Sequence, residues 1–214
     1  MPVLLSMKMR RATRDTICLG GDTPQLGAKP IMLLQTPAVQ TNWQALPFSL
    51  PDPDGRQYSL ESLQGNKGLP VAFICNHCPY VKAVVDRFVS DAQVLQNEGF
   101  GVVAINPNDF DAVPADSPPM MREFATQHGF GFPYVIDRDQ SVARAYDAVC
   151  TPDFFGFDAS GRLQYRGRLD DARMGDAADR QAELLDAMRL IADTGKGPET
   201  QHASMGCSIK WRAA

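Results

Sequence analysis

Val71-Ala72-Phe73-Ile74 is a short, wholly apolar run, the pattern of a strand buried on both faces. Gly101-Val102-Val103-Ala104-Ile105 is a second such run. Between them, Val81, Val84, Val85, Phe88, Ala92 and Leu95 recur at spacings of three and four. That predicts an amphipathic helix from about Pro79 to Glu98, closed by Gly99. Asp111 to Pro119 reads as a Pro-rich loop, with Pro118 or Pro119 opening a helix that runs to His128. Tyr134-Val135-Ile136 is a short strand and Ser141 to Tyr146 a short helix. Phe154 to Phe157 and Leu163 to Arg166 flank Asp158-Ala159-Ser160-Gly161 as an antiparallel hairpin. Ala177 to Ala192 is a last amphipathic helix, with Ala182, Leu184, Leu185, Met188 and Ile191 on its apolar face.

Upstream, Phe48-Ser49-Leu50 and Gln57-Tyr58-Ser59 flank Pro51-Asp52-Pro53-Asp54-Gly55, which reads as a further hairpin followed by a helical turn over Ser59 to Leu63. Residues 1–40 show neither strand nor helix period and are expected to be a poorly ordered leader, or in part untranslated, with Met32 the first residue. The domain is expected over 41–194, and residues 195–214 form an irregular tail. Alternating strands and helices imply parallel strands with crossover helices. The closing hairpin makes the sheet mixed.

The chain has 214 residues, 44% of them hydrophobic and 21% charged, which suits one soluble domain with extensions. A net charge of -4 with no run of Lys and Arg speaks against a nucleic-acid partner. No apolar stretch is long enough to span a membrane. Lys8, Arg10, Arg11 and Arg14 follow the first apolar residues instead of preceding them, unlike a secretory signal. A cytoplasmic location is therefore expected. No cofactor motif is found; Gly129-Phe130-Gly131 lacks a phosphate-loop Lys, and Asp109, Asp111 and Asp116 match no calcium loop and read as solvated acids.

The chemistry lies with the five cysteines, Cys18, Cys75, Cys78, Cys150 and Cys207. Cys75-Asn76-His77-Cys78 falls between the first buried strand and the long helix. If Cys75 begins that helix, its sulfur meets unpaired backbone N–H groups and the positive end of the dipole, which stabilise a thiolate. A thiol three residues on then resolves a mixed disulfide. His77 between them adds positive charge. Zinc binding is the competing use of such a pair, but Cys150, Cys207, His128 and His202 stand at no zinc-ribbon spacing.

Phe73-Ile74-Cys75-Asn76-His77-Cys78-Pro79-Tyr80-Val81-Lys82, Val149-Cys150-Thr151-Pro152-Asp153-Phe154-Phe155, Gly167-Arg168-Leu169-Asp170-Asp171 and Ser204-Met205-Gly206-Cys207-Ser208-Ile209-Lys210-Trp211 together resemble a bacterial thioredoxin-like group. It is classed with the alkyl hydroperoxide reductase and thiol-specific antioxidant proteins. The resemblance implies an α/β thioredoxin-like fold, a central mixed sheet flanked by helices, with an added N-terminal hairpin. It implies Cys75 as attacking and Cys78 as resolving thiol, with Asn76 and His77 beside them, and a cis-proline loop at Thr151-Pro152. Cys150 is expected in the core, with a third redox role as the alternative; Cys207 is either a resolving thiol or without a role.

The implied activity is thiol-disulfide exchange on protein or small-molecule disulfides, with a thiol electron donor. The alternatives are a thiol peroxidase acting on a hydroperoxide, and a non-enzymatic redox-sensing or zinc-binding module. Ala72 departs from the Thr or Ser that many peroxidases carry three residues before the reactive Cys. Ile74 and Asn76-His77 depart from thioredoxin's Trp and Gly-Pro.

Overall fold

The structure, a computed structural model, describes residues 33–37 and 40–213. The leader over residues 1–32, with Cys18, lies outside the described residues.

In chain order the strands and helices are β1 (Leu33–Gln35), β2 (Ser49–Pro51), β3 (Gln57–Ser59), α1 (Leu60–Leu63), β4 (Leu69–Phe73), α2 (Pro79–Asn97), β5 (Val103–Asn106), α3 (Pro118–Gln127), β6 (Tyr134–Ile136), α4 (Ser141–Ala145), β7 (Cys150–Thr151), β8 (Asp153–Phe157), β9 (Leu163–Gly167), α5 (Glu183–Thr194) and β10 (Met205–Ser208). A single 3₁₀ turn, Pro114–Asp116, precedes α3.

The central sheet runs β6-β5-β4-β8-β9. β4, β5 and β6 are parallel, β8 runs against β4, and β9 runs against β8. This is the mixed sheet of a thioredoxin-like fold. β4 is buried at every position because both faces are covered. Ala72 and Ile74 point to the face packed by α2, α3 and α5, with Phe88, Leu95, Met121, Leu184 and Met188. Val71 and Phe73 point to the other, with Leu50, Tyr146, Phe155 and Phe157. Strand alternation thus divides the apolar residues between two cores. The expected N-terminal hairpin is β2–β3, and α1 begins in a reciprocal capping pair between Ser59 and Ser62.

Three expectations are corrected. Residues 33–37, drawn into the leader, belong to the domain: β1 pairs antiparallel with β10, and Thr36 N–H donates to Ser204 O at 3.0 Å. The tail is not wholly irregular, since β10 lies between β1 and β7 in a second sheet. Last, α5 begins six residues later than its apolar pattern suggests, at Glu183 and not Ala177. The preceding segment is held instead by ion pairs, with Arg180 on Asp91 at 2.5 Å and on Asp170 at 3.3 Å. Among the described residues no helix is long and apolar enough to cross a membrane.

Candidate active site: a cluster of three thiols

The register of β4 on β8 creates the site. Phe73, the last residue of β4, sits opposite Asp153, the first of β8. Because the strands are antiparallel, the segment that leaves β4 meets the segment that enters β8. Residues 74–78 therefore pack against Cys150, Thr151 and Pro152.

The Thr151-Pro152 bond is cis, as the resemblance implies. Thr151 reaches both sulfurs of the pair. Its Oγ1 is 3.2 Å from Cys75 Sγ, and its carbonyl accepts from Cys78 Sγ at 3.1 Å.

The structure moves the helix terminus from Cys75 to Cys78. Cys78 is the N-cap of α2, with φ -68° and ψ 123°, and Pro79 is the first helical residue. Proline suits that position because its missing N–H has no partner to lose there. Cys75 lies one step back, in the loop, with no helix N-terminus of its own. The protonation preferences follow. The Cys78 thiol is drawn down to about 5, first by hydrogen bonding from Cys75, then by Cys207 and the Val81 amide, against the opposing effect of burial. The Cys75 thiol is pushed well up, first by burial, then by Cys78 and by the negative charge of Asp116. The two shifts belong to one titrating pair, with the Cys78 thiol as its lowered member and the Cys75 thiol as its raised one. This reverses the expectation that Cys75 has the lower pKa.

Behind the loop sits a polar network unforeseen in the sequence. Asp116 is fully buried, not solvated. Its carboxylate accepts from Asn76 N–H at 2.8 Å, from His77 Nδ1 at 2.7 Å and from Asn108 Nδ2 at 2.8 Å. Asn76 Nδ2 donates to Ala115 O at 2.9 Å, and Asn76 Oδ1 accepts from the Tyr134 hydroxyl at 3.0 Å. The network thus fixes Asn76 and His77, whose side chains the sequence places beside the thiols. It also directs His77 at a carboxylate whose own effect on Cys75 is to disfavour the thiolate. Nothing in the local sequence marks Asp116 as buried; the nearest signal is its position between Pro114 and Pro118 in a turn that feeds α3.

Cys75 Sγ, a His77 ring nitrogen and an Asp116 oxygen lie within 4.8 Å of one another, a set of the type that takes a divalent metal. The two Asp116 oxygens are already engaged by three N–H donors, which leaves this group poorly suited to a four-ligand zinc site.

Of the two other cysteines among the described residues, the structure brings in one and leaves one out. β10 pairs with β7 so that Cys207 is opposite Thr151 and Ser208 opposite Cys150. Cys207 therefore shares Thr151's face, with its Sγ 2.9 Å from Cys78 Sγ. Cys150 takes the opposite face and is buried, and burial drives its thiol well above the ordinary range. Cys75 and Cys78 are themselves 0% exposed. An apolar cleft lined by Tyr80, Val84, Pro152, Phe154, Leu169 and Met205 opens beside them.

Comparison with known proteins agrees with this architecture. An uncharacterized conserved protein from Geobacillus kaustophilus is 38% identical, with a TM-score of 0.81 over 87% of this chain and 100% of its own. A hypothetical protein from Sinorhizobium meliloti 1021 is 39% identical, with a TM-score of 0.80 over 84% of this chain and 99% of its own. The thiol-disulfide oxidoreductase ResA of Bacillus subtilis is 27% identical over 116 residues, 54% of this chain. The match spans 60% of that relative's length. The AhpC/TSA family pattern matches residues 41–166, more than half of the chain, with the Cys pair and all but the last residue of the central sheet. The chain belongs to the AhpC/TSA family.

Proposed function

We propose that the protein is a thiol-disulfide oxidoreductase in which Cys78 attacks and Cys75 resolves. The observation that carries this reading is Cys78 at the N-cap of α2 with a second thiol against it. The Cys78 thiolate attacks one sulfur of a substrate disulfide and expels the other as a thiolate, which takes up a proton. Cys75 then gives up its proton and attacks the Cys78 sulfur of the mixed disulfide. A Cys75–Cys78 disulfide forms and the second half of the substrate leaves as a thiol. Two electrons have moved from the protein to the substrate, and an external dithiol restores the reduced pair.

The Asp116 charge and burial keep Cys75 protonated until it is needed, which favours the order Cys78 first, Cys75 second. The cleft beside Pro152 is mainly apolar, with Arg168, Asp170 and Arg173 also lining it, which suits the side chains of a polypeptide carrying the disulfide. The relative ResA is named a thiol-disulfide oxidoreductase, in agreement with this activity. Both thiols are covered in this conformation, so substrate reaches Cys78 through local opening of the surrounding segments.

The test is the reduction of insulin disulfides in the presence of a dithiol donor. The wild-type protein accelerates it, and Cys78→Ser reduces the rate to that of the donor alone. An uncatalysed wild-type rate, or full activity in Cys78→Ser, contradicts the proposal. The same preparations assayed for hydroperoxide consumption separate this activity from a peroxidase.

A further inference from the structure

The pair Cys75 and Cys78 does not account for Cys207. Its sulfur stands 2.9 Å from Cys78 Sγ, less than ~1 Å longer than a disulfide bond of ~2.05 Å. This contact is built from both sides of the strand. Before Cys207, Ser204 Oγ donates to Gly167 O at 2.6 Å. After it, Ile209 N–H donates to Val149 O at 3.1 Å, and Lys210 N–H to Asn108 Oδ1 at 2.8 Å. The second of these bonds joins β10 to the Asn108–Asp116 network that holds Asn76 and His77. Gly206 lets β10 lie directly on the cis-proline loop: a Cβ there would fall 2.0 Å from Thr151 O. Cys207 is thus delivered to Cys78 by a paired strand, and only 1% of it is exposed.

We propose that Cys207 is a third redox thiol, which resolves mixed disulfides on Cys78 in competition with Cys75. The proposal rests on Cys78 being the attacking thiol. In the step, the Cys207 proton passes to the thiolate already expelled from the substrate. The Cys207 sulfur then attacks Cys78 Sγ, a Cys78–Cys207 bond forms, and the remaining substrate half departs as a thiolate that takes its proton from water. The balance is the same as for Cys75: one substrate disulfide reduced, two protein thiols oxidised. The positive charge of Lys210 favours the Cys207 thiolate, whereas Asp116 disfavours that of Cys75; burial and the neighbouring Cys78 hold the Cys207 thiol high, at about 12. The two products differ mechanically. A Cys75–Cys78 bond closes a local loop, and a Cys78–Cys207 bond ties the start of α2 to β10.

Oxidised glutathione is the probe. With Cys75→Ser, we expect release of a second glutathione per chain and a Cys78–Cys207 cross-link, read as peptides Gly68–Lys82 and Gly197–Lys210 joined after trypsin digestion. With Cys75→Ser/Cys207→Ser, the adduct stays on Cys78. In wild-type protein quenched early, the same cross-linked peptide accompanies the Cys75–Cys78 pair, a measurement that needs no substitution. A stable glutathione adduct on Cys75→Ser with Cys207 still free, or absence of the cross-link from wild type, overturns the proposal and leaves the Cys75–Cys78 reading standing. Failure of the double variant to take up any glutathione removes Cys78 as the attacking thiol, and the role of Cys207 with it.

Discussion

A Cys-x-x-Cys pair looks the same from either end, and only the position of the helix tells its two sulfurs apart. Spacing therefore identified Cys75 and Cys78 but gave the wrong one the helix terminus. Pro79 held the deciding signal: a proline fits the first helical position, which makes Cys78 the N-cap. The consequence is measurable. Thiolate ultraviolet absorbance of the reduced protein should rise with a midpoint at pH about 5, and Cys78→Ser should lose that step. The stability sign follows. The folded pKa lies below the ordinary value of 9.0, so folding favours the thiolate. The stabilisation is full above pH ~9, shrinks as the pH falls, and is gone below the folded value. Cys78→Ser should flatten that dependence in denaturant titrations of the reduced protein. Asp116 gives a second prediction at this scale. Asp116→Ala leaves three N–H donors without their acceptor and should cost at least ~2 kcal/mol in the same titration. Asp116→Asn removes the charge facing Cys75 and should lower its pKa. An unchanged Cys75 titration would show that burial and Cys78 set it without Asp116.

Elements with strong periodicity were legible; elements made by pairing were not. The apolar spacing along α2 and the continuous runs of β4 and β5 state their burial directly. β1 and β10 have no such mark, because Leu33–Gln35 is three residues long and Met205–Ser208 only four, too short for a period to stand out. Each exists as a strand through its partner, and only the folded chain shows that Thr36 and Ser204 meet. Gly206→Ala tests how tightly β10 is docked. The added Cβ meets Thr151 backbone atoms, at 2.0 Å from O and 2.6 Å from C, which do not yield as a side chain would. The variant should lose at least ~1–3 kcal/mol on thermal unfolding and expose the β10 amides to faster hydrogen exchange. Wild-type exchange in the variant would mean that β10 is not held at that point. The late start of α5 has a similar origin. Arg180 compensates Asp91, a carboxylate only 3% exposed in the middle of α2. Arg180→Ala should cost about 3–5 kcal/mol by stranding that charge, and Asp91→Asn should restore part of the loss.

At the scale of the whole molecule, the order of strands and helices was enough to give the mixed sheet and its two cores. It did not give the site, which is assembled from four separated segments: 75–78, Asp116, 150–152 and 207. Their meeting follows from β4 lying between a parallel neighbour, β5, and an antiparallel one, β8. The end of one strand and the start of another then share one edge, and the tail strand closes over it through β7. The sulfurs are thereby placed where a helix terminus, a cis-proline loop and a buried carboxylate act on them together. The most direct test of this account is to find which sulfur captures substrate. A disulfide-bearing peptide is offered to Cys75→Ser/Cys207→Ser and to Cys78→Ser/Cys207→Ser in mildly acidic buffer, above the Cys78 pKa and below that of an ordinary thiol, and the adducts are located by mass spectrometry. The adduct should form on Cys78 in the first variant and be missing from the second; an adduct on Cys75 in the second variant, with Cys78 of the first left unmodified, would contradict the account.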